Sequence, residues 1–268
     1  MSTGVLTGAS KSELRGVRRV RVKSRFFLAM SVLLLLIVLV GFSPTLYLRG
    51  FLAQPPLPAH LYVHGVILTS WFAWSVVQAS LVAAGRLELH RRLGVVGATI
   101  GFAVCVAAPL ASLNAVPRLR SAGVDLDADI STLGVSGLGA GAPIIDVASG
   151  TIWGNFAQVA AFFSFLLVAI MLRKRPDVHK RLMLIASISI SLAAIARISR
   201  WPIFGGEQSP FTLSVFVALL GALVGYDLYS TRRVHPATFI GIAVVVAMAV
   251  AGGILGGSEF GRAFVRGL

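Results

Sequence analysis

The chain has 268 residues, 56% of them apolar and only 13% charged, with a mean hydropathy of +0.86, a composition that excludes an ordinary soluble domain. A formal charge of +14 at pH 7 would suggest a nucleic-acid partner in a soluble protein, but most cations fall between apolar runs, so they read as topology determinants and nucleic acid is set aside. The single cysteine, Cys105, lies within an apolar run and excludes an intrachain disulfide or a Cys-x-x-Cys metal site.

In chain order, a basic tail over residues 1–25 carries Arg15, Arg18, Arg19, Arg21, Lys23 and Arg25 and leads into a first apolar span, Phe26–Leu48. The span is too long for a signal peptide and lacks a small-x-small cleavage site, which predicts an uncleaved anchor. Six more spans of the roughly 20 residues needed to cross a bilayer follow at Ala59–Ala84, Leu93–Val116, Ile145–Leu172, Leu182–Phe204, Phe211–Ser230 and Ala237–Leu255. The expectation is an all-α, polytopic bundle of seven transmembrane helices over residues 26–256, with an external connection at 117–143 and a short external tail at 257–268. Cations concentrate in the tail, in Arg86–Arg92, in Arg173–Arg181 and at Arg232–Arg233, so the positive-inside rule places the N-terminus in the cytoplasm and, with seven spans, the C-terminus outside.

Two of the basic turns are near copies: Arg86-Leu-Glu-Leu-His90-Arg-Arg-Leu93 and Arg175-Pro-Asp-Val-His179-Lys-Arg-Leu182. They mark two related hairpins, each with a histidine at its turn. On the second span His60, His64, Trp71 and Gln78 recur at helical spacing and form one polar face. Within the 117–143 connection, the Gly134–Gly141 stretch lacks the Lys-Ser/Thr pair of a phosphate loop and reads as part of a cap over the outer mouth. The fourth span offers Asp146, Trp153, Asn155 and Gln158, and the fifth a face of Ser189, Ala193, Arg197 and Arg200. No span carries the Gly or Pro interruption of a broken helix. Near the inner end of the sixth span, Tyr226 and Asp227 are placed to meet Arg91, Arg181 or Arg232.

Intramembrane polar groups must be paired or face a cavity, so each is a site hypothesis. His90 and His179 occupy equivalent positions at the starts of the third and fifth spans; two histidines from facing helices are the ligand set of a b-type haem, with Arg91, Arg92, Lys180 and Arg181 near its propionates. The opposing reading makes both histidines interfacial anchors. His60-x-x-x-His64 has metal-ligand spacing, and Asp146 would be a third ligand of a zinc site. An outer cluster of His60, His64, Asn114, Asp146, Asn155, Arg197 and Arg200 would either pair internally or hold an anionic lipid or quinone-like ligand. No lysine lies in the last span, which excludes a retinal Schiff base there.

Taken together, His64-Gly65, Thr69-x-Trp71, Gln78-x-x-Leu81, Leu89-His90-Arg91-Arg92-Leu93-Gly94, His179-Lys180-Arg181-Leu182-Met183-Leu184 and Ala193-x-x-Ala196-Arg197 resemble the signature of a group of uncharacterised bacterial inner-membrane proteins with seven spans. The likeness runs from Phe26-Phe27 to His235-Pro236. It implies the architecture and picks out His64, Trp71, Gln78, His90, His179 and Arg197 without giving them roles. The Leu-His-Arg-Arg-Leu-Gly turn is also similar to turns of haem-bearing membrane proteins related to cytochrome b561. The zinc-bearing seven-span hydrolases of the adiponectin-receptor type share the orientation, but their histidines in the last helix are absent here. Three classes therefore compete: a redox-linked haem protein, which the paired turn histidines favour; a small-molecule transporter; and a lipid-binding accessory subunit.

Overall fold

A computed structural model describes residues 11–52, 55–134, 141–204 and 210–268 of the chain. Among these residues there is no strand, only an isolated bridge between Asp129 and Pro143. The helices are α1 (Lys11–Phe42), α2 (Ala59–Ala83), α3 (Leu87–Leu113), α4 (Ala115–Ser121), α5 (Ile144–Met171), α6 (Pro176–Ser189), α7 (Leu192–Ser199), α8 (Phe211–Thr231), α9 (Pro236–Gly257) and α10 (Glu259–Arg266). Among the described residues, six stretches are long and apolar enough to cross a membrane: Arg25–Tyr47, Ala59–Ala83, Leu87–Ser121, Ile144–Met171, Phe211–Thr231 and Pro236–Gly257. Leu33, Leu36, Val95, Val106, Leu213, Val217, Phe239 and Ile240 are all exposed on their outer faces, as in a bundle solvated by hydrocarbon. The chain is a multi-pass membrane protein.

The expected fifth span is not one straight helix. It divides into α6 and α7, bent by 41° across Ile190-Ser191. No Gly or Pro causes the break. Instead, Ser189 Oγ donates to the Ala186 carbonyl at 2.7 Å and Ser191 Oγ to the Ile188 carbonyl at 2.8 Å, and such back-bonding competes for the carbonyls that a regular helix would use. The expected face of Ser189, Ala193, Arg197 and Arg200 is therefore divided: Ser189 ends α6 before the break, whereas Ala193, Arg197 and Arg200 follow it.

α6 is the axis of the bundle. It packs on α5, α9, α1 and α8, and from Leu184 to Ser191 every residue is buried. Around it the chain closes a ring in which α1 packs on α2, α2 on α3, α3 on α5 and α5 on α9. α5 and α9 pack closely because small residues face each other: a Cβ on Gly256 would lie 2.7 Å from Gly150 Cα, and one on Gly252 2.8 Å from Ala157 Cβ. Ser149 Oγ adds a hydrogen bond to the Gly256 carbonyl at 2.8 Å.

The turns of the two related hairpins and the α8–α9 turn lie at one end of the bundle, here the basic end; α4 and α10 lie at the other, the cap end. Gly85 (φ +77°) turns the chain after α2, and Arg232 does the same after α8 at φ 60° without glycine's freedom. Three boundaries differ from expectation. Residues 11–25 are helical and continuous with α1, with the side chains of Arg15, Arg18, Arg19, Arg21 and Lys23 outside the description. The 117–143 connection is partly helical, in α4 and a short 3-10 turn at Ile130–Leu133, and buries Leu126 and Ile130 with Val116, Ile144, Ile145, Ile152 and Val265 in a core of its own; its residues 135–140 lie outside the described set, as does Glu207. The tail at 257–268 is not a loose end, since α10 seats Val265 in that core and packs Phe260 and Phe264 against Trp153.

Candidate functional site

At the basic end, the α2–α3 and α5–α6 turns bring His90 and His179 together. Their ring centroids are 6.3 Å apart and their planes lie at 80°. α3 packs on α2 and α5, whereas α6 packs on α5, α9 and α1, so the two rings reach toward each other across the bundle. His179 Nδ1 lies 2.8 Å from the Ala169 carbonyl. A carbonyl only accepts, so Nδ1 carries the proton and the neutral ring keeps its lone pair on Nε2. His90 sits beside the Gln78 carbonyl, and its buried Nδ1 has no hydrogen-bond partner.

Other polar atoms in this layer share that condition. Gln78 Nε2 and Oε1 and Trp74 Nε1 are buried and unpartnered, with the Trp74 indole packed over Gly97 of α3. Buried polar atoms in a native fold are nearly always satisfied, so a group of unpartnered ones around a histidine pair is the exception in this layer. Trp71, one helical turn toward the cap end, is not part of it: its Nε1 donates to Ser187 Oγ at 3.2 Å and its ring meets Phe162 edge-on at 4.9 Å. It is a core residue that ties α2 to α6.

The donor set can be tested against a haem iron. Two imidazoles bound on one axis at metal–nitrogen distances of about 2.0 Å place their ring centroids roughly 6 Å apart, and the observed separation agrees. The free Nε2 of His179 also fits. The expected propionate cations fit less well, because Arg181 is committed to Asp227, Lys180 to Asp177 at 2.7 Å and Arg92 to Glu88. Of the four, only Arg91 makes no ion pair with a described residue.

Asp227 is the anchor of the basic end. It is wholly buried, accepts from Arg181 Nε at 3.0 Å and from Nη2 on Oδ1, and takes the His235 backbone N–H at 3.0 Å and Thr238 Oγ1 at 2.6 Å on Oδ2. Phe26 stacks on the neighbouring Tyr226 ring at 4.3 Å. The inner-face network expected of Tyr226 and Asp227 exists, with Arg181 as its cation. Next to it His235 caps α9 by accepting from the Ala237 N–H at 3.1 Å; burial and the Arg181 charge hold its pKa below the usual histidine value.

The outer cluster does not assemble as one site. Asp146 lies 3.7 Å from Arg262 of α10, Asn155 donates to Ser112 Oγ at 3.2 Å, and Asn114 donates to the Leu110 carbonyl at 2.8 Å. His60 is exposed. Among the described residues no three His, Cys, Asp or Glu side chains gather at metal-binding distance, so the zinc set of His60, His64 and Asp146 is not formed. Of the cluster, Arg197 lies over the Phe42 ring at 4.3 Å, and Gly65, next to His64, faces Leu46 in the turn that follows Phe42. Arg262, the partner of Asp146, lies on α10, within the stretch expected only as a short external tail. No protein-family model matches this chain, and no curated protein or solved structure matches it either.

Proposed function

We propose that this protein is a redox-linked, b-type haem-binding protein of the bacterial inner membrane, in which His90 and His179 are the residues that would hold the haem iron. The observation that carries the reading is the meeting of two histidines from separate hairpins at 6.3 Å, one of them held by Ala169 with Nε2 free. A bound haem would supply one-electron chemistry. The chain's part is to fix both imidazoles from opposite sides, to offer Gln78 and Trp74 as polar neighbours, and to keep the layer dry with Trp71, Phe162 and Leu166. In this reading α6 and α7 together make a seventh crossing, the basic end faces the cytoplasm and the C-terminus lies outside.

The test is the absorption spectrum of the detergent-purified protein from haem-replete cells, oxidised and then reduced with dithionite. A Soret band with α and β bands that sharpen on reduction is expected, and the double variant His90→Ala/His179→Ala should lose both while still inserting in the membrane. A featureless wild-type spectrum, or bands that survive the double substitution, would overturn the assignment. The break at Ile190-Ser191 in the central span favours a second reading, a small-molecule transporter, since discontinuous helices build substrate sites; uptake by reconstituted vesicles with a featureless spectrum is its signature.

A further inference from the structure

The cap half of the bundle holds a cation without an anion. Arg197, on α7, donates from Nη1 to the Ala193 carbonyl at 3.0 Å and places its guanidinium 4.3 Å over the Phe42 ring. It forms no ion pair with any described carboxylate: Asp146 faces Arg262 and Asp127 faces Arg266. A guanidinium carries five N–H donors, and the Ala193 carbonyl occupies one of the groups that bear them. Phe42 covers one face of the plane, which leaves its edge as the direction from which oxygen acceptors can approach.

His64 of α2 borders the same corner: a Cβ on its neighbour Gly65 would lie 2.7 Å from Leu46 Cδ2, in the turn that follows Phe42, and the His64 Nδ1 is buried without a hydrogen-bond partner. The frame around the pair is firm. α1 ends at Phe42 and runs into a single wide turn, Ser43–Tyr47, from which Tyr47 Oη bonds Thr69 Oγ1 at 2.6 Å; Thr69 in turn donates to the Gly65 carbonyl at 2.7 Å. α7 lies backbone to backbone against Gly41 of α1. Arg200, exposed one turn further along, donates from Nε to the Ala196 carbonyl at 3.2 Å. Charged side chains withdrawn from water at membrane depth are paired or serve a ligand.

From this arrangement we infer that Arg197 and His64 form a binding site for a phosphate-class oxyanion. A tetrahedral group presents two oxygens to the guanidinium edge and a third to the imidazole Nδ1–H, the pairing for which an arginine fork is suited. Two sources supply that chemistry: the headgroup phosphate of a phospholipid in the adjoining leaflet, and free phosphate from the aqueous side. The inference does not depend on haem at the other end of the bundle.

The experiment compares wild type with Arg197→Gln after exhaustive delipidation in detergent. Phosphorus is assayed in the purified protein, and the melting temperature is followed on adding phosphatidylglycerol in mixed micelles or inorganic phosphate, against chloride at matched ionic strength. Wild type is expected to retain stoichiometric phospholipid, or to be stabilised by one of the two probes, with apparent affinity about tenfold or more weaker in Arg197→Gln. Response to phosphatidylglycerol alone identifies a lipid headgroup; response to inorganic phosphate identifies a free anion. If Arg197→Gln does not accumulate, Arg197→Lys and His64→Ala are read instead, each with weakened binding. Equal phosphorus content and equal response in wild type and variants overturns the site.

Discussion

Replacing Asp227 by alanine should be among the most damaging single changes outside the apolar core. Arg181 is 2% exposed and Asp227 0%, so the substitution strands a guanidinium whose remaining partners are the Asp177 carbonyl at 2.7 Å and the Asp177 carboxylate at 3.8 Å. It also removes the acceptor for the His235 N–H and for Thr238 Oγ1. Breaking a buried pair from one side costs about 3–5 kcal/mol, which for a chain of this size corresponds to a fall in melting temperature on the order of 10 °C. Asp227→Asn keeps an acceptor oxygen and loses the charge, so about 2 kcal/mol is expected. Arg181→Met/Asp227→Leu leaves no orphaned charge and should lie closer to wild type than either single change, a coupling of about 2–4 kcal/mol. Thermal or denaturant unfolding in detergent, followed by tryptophan fluorescence, reads these proteins together with the constituent singles Arg181→Met and Asp227→Leu. The reasoning fails if Asp227→Ala unfolds within about 1 kcal/mol of wild type, or if the double substitution costs the sum of the singles.

Further outcomes follow from other contacts. Gly256→Ala drives a Cβ to 2.7 Å from Gly150 Cα, where only backbone can yield, so a loss of about 1–3 kcal/mol is expected in the same unfolding assay, whereas Gly253→Ala, whose Cβ meets open space, should leave stability unchanged. Arg232 holds φ 60° at the end of α8, and Arg232→Gly should raise stability by about 0.5–1 kcal/mol; a neutral or destabilising result would show that its side chain contributes there. His235 is the pH-dependent cap: its folded pKa is depressed by burial and by Arg181, so the unfolded chain binds the proton more readily. Its contribution is complete above the unfolded value near ~6.5 and is lost as pH falls below that toward the folded pKa. His235→Asn, which retains a capping acceptor, should flatten that part of the stability–pH curve, and an unchanged slope would remove His235 as its source.

Much of the architecture is legible in the sequence because each hydrophobic run stands between basic or Gly/Pro-marked turns, and the meeting of His90 with His179 is legible because the two turns repeat one motif. Asp227 with Arg181 was readable for a related reason: the start of one helix and the end of the other fall at the same end of the bundle, and an intramembrane acid needs a cation. The break at Ile190-Ser191 was not, since serine back-bonding leaves no signature as plain as proline. The outer cluster was over-assembled because equal depth says nothing of which helices are neighbours; Asp146 found Arg262 on a helix too short to register as a span. Gln78 and Trp74 were different again. Gln78 was singled out from its spacing, but only packing shows that its amide and the Trp74 N–H are left unpaired beside His90.

The burial of α6 also bears on how the protein is made. Its first neighbours, α1 and α5, precede it in the chain, but α8 and α9, which cover its other sides, are synthesised afterwards. Between those moments the future axis of the bundle is an edge helix, with Arg181 waiting for an aspartate 46 residues downstream. The α8–α9 hairpin is therefore what brings Asp227 to Arg181 and the glycines of α9 to α5. A nascent chain arrested before α8 would present that polar, unpaired helix to the lipid and to the proteases that survey it.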